Sequence, residues 1–197
     1  MNDTVPTIDP HHTILLVMDY QPAILNNLPG ADELLPRLVE AIDAARSSGM
    51  RIGYVRLGFD DADYTAMPDT NKGLTGVAAS RRMHNQAPET AIHDAVAPEL
   101  GDLVVRKTRV GAFSTTDLDQ QLRDQKIDTL VLAGITTSGV VLSTVRDAAD
   151  RDYRLYVLED ASSDRDYEVH DLLMQKVFPR QAYVISVADL SDLLGVR

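Results

Sequence analysis

Residues 129–149 read TLVLAGITTSGVVLSTVRDAA. The first five carry no charge and are apolar or β-branched, the pattern of a strand covered on both faces. From Val140 onward the apolar positions recur at helical spacing, as Val140, Val141, Thr144, Val145, Ala148 and Ala149. The stretch therefore predicts a strand, a tight turn and a helix in immediate succession. Between them, Gly134 to Gly139 are mostly small residues that let backbone approach backbone. The first N–H groups of such a helix lack intrahelical acceptors and face the region beyond the strand end, where an anion or oxyanion can be held. Thr137 or Ser138 can equally serve as an ordinary N-cap there.

Outward from this block the same alternation repeats. Further strand candidates are Thr13 to Met18 (TILLVM), Arg51 to Leu57 (RIGYVRL), Asp102 to Arg106 (DLVVR), Arg154 to Leu158 (RLYVL) and Ala182 to Val187 (AYVISV). Between the first two, Leu34, Leu35, Leu38, Val39, Ile42 and Ala45 keep a helical period, with Asp32 available as N-cap and Gly49 placed to end the helix. Val169, Leu172, Leu173 and Val177 repeat that period before the last strand. Strands alternating with helices predict an α/β fold with a parallel sheet and crossover helices. The exception is Gly58 to Pro88, which holds several Gly and Pro and shows weak periodicity. A long irregular excursion in a compact domain is more often functional than idle.

Composition narrows the function. The chain has 197 residues, suited to one domain over 1–197, and carries 19 Lys+Arg against 30 Asp+Glu, a formal net charge of −11 with a pI near 4.7. That balance argues against nucleic acid or an anionic membrane surface as partner, because phosphate contacts need clustered bases. Small molecules and other proteins remain. Cysteine is absent, which excludes disulfides, thiolate metal ligands and thiol nucleophiles. The opening MNDTVPTIDPHH lacks the basic and apolar segments of a signal peptide, and no apolar run is long enough to span a bilayer, so a cytoplasmic protein is expected. Between Arg51 and Arg109, eight bases and eight acids cancel. The negative excess lies elsewhere, which leaves this region best placed to receive an anion, and Arg56 is its candidate substrate-binding base.

No dinucleotide fingerprint, Walker A, G-x-S-x-G or H-E-x-x-H occurs, and the five histidines show no ligand spacing, so neither a metal nor a cofactor is expected. Two side chains stand out instead. Asp19 directly follows ILLVM, at the carboxyl edge of the first strand, where ligand crevices of open α/β sheets form. Burial there favours its neutral form, which suits proton transfer; a turn or cap before Gln21-Pro22 is the plain alternative. Lys107 follows DLVVR at another carboxyl edge. It can pair with Asp19 if the two strands are close, or simply be a solvated strand end.

Taken together, ILLVMDYQPAI, VVRKTRVGAFSTTDLDQQL and LVLAGITTSGVVLSTVRDAADRDYRLYVLEDAS resemble the isochorismatase-like superfamily, also called the cysteine hydrolase family, in order from Thr13 to Val187. The resemblance implies a single-domain, three-layer α/β/α fold, Rossmann-like, with a six-stranded, mainly parallel sheet. It also implies a site built from an Asp, a Lys and a Cys. The family Asp falls on Asp19 and the family Lys on Lys107, while the cysteine position, six residues after Gly134, holds Val140. The Asp-x-His metal pattern carried by nicotinamidases of the family is also missing, since the chain reads Leu57-Gly58-Phe59-Asp60-Asp61 there. Isochorismatases likewise work without the cysteine, their Asp protonating a vinyl ether that water then cleaves. The resemblance thus implies a hydrolase acting on a small, carboxylated substrate by non-covalent acid/base chemistry. Asp19 would be the acid or base, Lys107 its electrostatic partner, and the Thr137, Ser138, Gly139 and Val140 amides a polar cradle. A binding protein that has lost catalysis, and an amide hydrolase that activates water directly, stay open. A cis peptide at Ile135-Thr136 and a homo-oligomer are further expectations.

Overall fold

The computed structural model describes residues 5–196. Its strands are β1 (Thr13–Met18), β2 (Arg51–Leu57), β3 (Leu103–Lys107), β4 (Thr129–Gly134), β5 (Arg154–Leu158) and β6 (Tyr183–Ile185). They form one sheet in the order β3-β2-β1-β4-β5-β6, every neighbouring pair parallel. The helices are α1 (Pro22–Leu25), α2 (Ala31–Ser48), α3 (Asp61–Thr65), α4 (Thr75–Ala79), α5 (Leu118–Asp124), α6 (Leu142–Ala149), α7 (Tyr167–Leu172) and α8 (Val187–Leu194). The three-layer α/β/α arrangement expected from the sequence is the one observed.

Period-two alternation explains how so apolar a sheet is covered. Leu15, Val17, Ile52, Tyr54, Val131 and Ala133 face one layer, where they pack with Leu34, Leu38 and Ile42 of α2 and Leu190 of α8. Ile14, Leu16, Met18, Val55, Leu130 and Leu132 face the other, with Leu118 and Leu122 of α5 and Val145 and Ala148 of α6. Each such aliphatic side chain contributes roughly 1.5–3 kcal/mol on burial. The chain runs outward from β1 to β2 and β3, then returns to lay β4 on the other side of β1. Crevices open outside the carboxyl ends of strands at such a reversal.

Several sequence readings need correction. Helix α2 starts at Ala31 with Gly30, at φ 75°, as its N-cap, so Asp32 is not the cap but lies in the first turn, where a negative charge suits the helix N-terminus. Gly49 does end the helix, at φ 77°, donating to the Ala45 and Arg46 carbonyls. Strand β3 is shifted by one residue and takes in Lys107. Strand β6 stops at Ile185 because Ser186 caps α8, an unpredicted helix, through a capping box with Asp189. The helix foreseen from Val140 is split: Thr137–Val141 is a π-type turn and α6 begins at Leu142. Nor is the excursion irregular throughout. It folds α3 and α4 around a small core of Phe59, Tyr64, Leu74 and Ala78, built from segments too short to show a period.

Candidate active site

Lys107 lies on the same face of the sheet as Val105, two residues earlier, which is the layer of α5 and α6. Asp19 would point to the opposite face if β1 simply continued past Met18. It does not continue: Asp19 takes φ 62°, a left-handed conformation that non-glycine residues seldom adopt. The carboxyl then meets Lys107 across the end of β2. Lys107 Nζ lies 2.8 Å from Asp19 Oδ2 and 2.7 Å from the Val110 carbonyl. The two residues are only 5% and 1% exposed, which makes this a desolvated ion pair rather than a surface one. Burial pushes the Asp19 carboxyl up; the Lys107 charge and hydrogen bond oppose it without prevailing. Asp19 Oδ1 is buried and has no hydrogen-bond partner among the described residues.

The Thr137–Val141 turn is linked to this pair through Val110, whose carbonyl accepts from Lys107 and whose side chain approaches Gly139. Gly134 permits the approach, since a Cβ there would lie 2.9 Å from Val141 Cγ2 and 3.2 Å from Met18 Cβ. Loop 108–113, which continues from Lys107, packs on the same turn and on α6 beyond it: Val110 approaches Gly139, and Ala112 N–H donates to Thr144 Oγ1 at 3.3 Å. The Ile135-Thr136 peptide is cis. Val140 is fully buried, in one cluster with Met18, Ala112 and Phe113.

The Thr137, Ser138 and Gly139 amides of this turn are spoken for, which departs from the open cradle expected. Thr137 N–H donates to Ser163 O at 2.8 Å, Ser138 N–H to Asp164 Oδ2 at 2.7 Å, and Gly139 N–H to Thr136 O at 3.1 Å. The Ser138 hydroxyl also donates to Asp164 Oδ2, at 2.7 Å. Burial pushes the Asp164 carboxyl up, but hydrogen bonds from the Ser138 side chain and backbone, and from the Asp166 and Arg165 backbone, hold it below the usual range. It is therefore a poor base for activating that serine. Thr137 Oγ1 pairs with His170 Nδ1 at 2.8 Å, both buried.

Comparison with known proteins decides the family. The sequence profile described as the isochorismatase domain matches residues 13–189. The chain belongs to the isochorismatase family. It is 32% identical over 175 residues to the uncharacterized isochorismatase family protein YwoC of Bacillus subtilis (strain 168), covering 88% of this chain and 89% of that one. It is 30% identical over 211 residues to the ureidoacrylate amidohydrolase RutB of Methylobacterium radiotolerans, covering 96% and 82% respectively. A crystal structure of a cysteine hydrolase from Pseudomonas syringae pv. phaseolicola 1448A superposes with a TM-score of 0.89 at 21% identity, over 99% of both chains, and shares its fold.

Within this isochorismatase-family hydrolase, Arg56 lies on β2 and turns toward the excursion. Its guanidinium donates to the Asn85 and Thr90 carbonyls at 3.4 and 3.3 Å and to Asn85 Oδ1. The residues that sequence reasoning missed are Gln21, Asp164 and His170. Gln21 is fully buried two positions after Asp19, bonding Leu57 and Thr90. A groove of about 1230 Å³ opens elsewhere, lined by Asp32, Glu33, Glu159, Asp160, His170 and Asp171 among others, and includes neither Asp19 nor Lys107. Acidic side chains outnumber the arginine, Arg37, on its wall, and the buried pair remains the candidate site. Among the described residues no group of three His, Cys, Asp or Glu is arranged to hold a metal, and no helix is long and apolar enough to cross a membrane.

Proposed function

We propose that this isochorismatase-family hydrolase cleaves a small, carboxylated substrate by proton transfer through Asp19, with no covalent intermediate. The observation that carries the reading is the Asp19 carboxyl itself: one oxygen is held by Lys107, and the other is buried and bare. Burial favours the protonated form, which suits a general acid. A vinyl ether is the favoured substrate. Asp19 gives its proton to the vinyl carbon, water adds to the resulting oxocarbenium carbon, and collapse of the hemiketal releases a keto acid and an alcohol while a proton returns to Asp19. Lys107 fixes the carboxyl throughout. Thr137, Ser138, Gly139, Val140 and Arg56 are proposed to border the substrate.

Similarity to the ureidoacrylate amidohydrolase favours a second reading, in which ionised Asp19 takes a proton from water that attacks an amide. Turnover of purified protein on vinyl ethers and small amides, with Asp19→Asn as control, tests both. Loss of about 100-fold or more is expected from removing a positioned acid or base, and activity surviving the change removes Asp19 from the mechanism. The pH dependence separates the two: an acid mechanism fails as pH rises through the Asp19 pKa, a base mechanism as it falls through it. A cytoplasmic homo-oligomer is also proposed, supported by exposed Leu100 and Val104 beside the open edge of β3. Sedimentation showing only monomer would refute the oligomer.

A further inference from the structure

We propose that Gln21 is a positioning residue for Asp19, taking the Leu57 N–H for itself and so keeping Asp19 Oδ1 free for the substrate. The proposal rests on Asp19 being the proton-transfer group. Leu57 ends β2, the strand lying between β1 and β3, and in register it stands opposite Lys107. Asp19 N–H bonds Val55 O, which makes the Leu57 N–H, two residues further along β2, the next donor turned toward β1 and Asp19. A free amide beside a carboxylate would donate to it, and charge-assisted bonds of this kind are about twice as strong as neutral ones.

Gln21 intercepts that donor. Leu57 N–H donates to Gln21 Oε1 at 2.8 Å, while Gln21 Nε2 donates to Leu57 O at 2.8 Å and to Thr90 O at 2.6 Å. The orientation of the amide group is fixed, because only an NH2 can satisfy two carbonyls. The main chain holds the register between the two residues: Asp19 N–H donates to Val55 O and Gln21 N–H to Asp19 O, each at 2.8 Å. Among the described residues, the one charged group facing Asp19 is Lys107, on Oδ2; the intervening Tyr20 sends its hydroxyl away to Ala161 O. With Oδ2 committed, Oδ1 is the oxygen left to carry the transferred proton. Were Leu57 N–H to bond it, both oxygens would hold donors and the ionised form would be favoured.

The test tracks the Asp19 carboxyl carbon by NMR against pH in the full-length, substrate-free protein. Gln21→Met releases the Leu57 amide and should lower the Asp19 titration midpoint by about one pH unit or more. Thr90→Val loosens the same segment, since Thr90 Oγ1 anchors the His84 and Ala87 carbonyls, but leaves the Leu57 amide with Gln21, and should not move the midpoint. A folded Gln21→Met with an unshifted midpoint, or an equal shift in Thr90→Val, overturns the proposal. Should Gln21→Met not fold, scalar coupling across the hydrogen bond in the natural protein decides. Coupling from Leu57 nitrogen to the Gln21 side-chain carbonyl carbon is expected; coupling to the Asp19 carboxyl carbon, or none to Gln21, overturns it. No turnover enters these readouts, so their failure is distinct from activity surviving in Asp19→Asn.

Discussion

Asp19 and Lys107 form a pair that only the complete chain makes sense of, 88 positions apart and almost without solvent. Removing one partner of such a pair strands the other charge. Lys107→Met should therefore cost about 3–5 kcal/mol at neutral pH by denaturant unfolding. The sign with pH comes from the raised Asp19 pKa: the folded state keeps its proton to higher pH than the unfolded chain. Stability of the variant is thus greatest below the ordinary carboxylate range, and is lost as pH rises through the folded pKa. A loss that does not shrink in acid would show that Asp19 is not the stranded group. Ser138 is the opposite case. Its amide and hydroxyl both serve Asp164, so Ser138→Ala should cost about 1 kcal/mol of stability and leave turnover largely intact. A covalent adduct trapped on Ser138 or Ser143 would reverse that expectation. Asp19 and Lys107 were legible in the sequence because each stands at the carboxyl end of a strand run, Asp19 directly after β1 and Lys107 as the last residue of β3. Gln21 and Asp164 were not, because their roles depend on carbonyls and amides brought from 36, 69 and 26 positions away.

At the scale of elements, β1 and β4 were legible as the continuous apolar runs of fully buried strands and the edge strands β3 and β6 as shorter β-branched runs, whereas the segments beyond the carboxyl ends were less so. Helix α8 is short and its cap consumes the end of the β6 run. The π-type turn escaped because one extra residue in a helical turn leaves the apolar period nearly unchanged. That turn depends on α7 through Thr137 and His170. Burial pushes the His170 imidazole down, more than Asp171, Asp164 and Glu159 push it up. Its folded pKa is then below the unfolded value of about 6.5, so this contribution to stability is complete above that value and is lost as pH falls toward the folded pKa. Thermal unfolding between pH 7 and 5 should show a decline that is smaller in His170→Gln. An identical decline in both would assign the acid sensitivity to other groups.

For the whole molecule, the charge-balanced middle region pairs in part within itself and in part beyond it. Arg106 pairs with Asp60 and Asp63 and Arg81 with Asp61, while Glu99 and Asp102 take Arg46 of α2 and Lys107 takes Asp19. A balance counted in the sequence does not show which charges are already committed, because pairing is what composition cannot reveal.

The reversal of strand order has a consequence during protein synthesis. β1 and β2 both lie within the first 57 residues, but the other edge of β1 faces β4, with Thr13 opposite Thr129 and more than half of the chain between them. At about 5–20 residues per second, the uncharged run TILLVM waits on the order of ten seconds on the ribosome with that edge open, and such an edge invites pairing with other chains. Nascent chains arrested before residue 129 should be cut readily by protease within β1, whereas chains long enough to expose β4 should resist. Protection of β1 already present in the shorter chains would mean that some other segment guards it until its partner arrives.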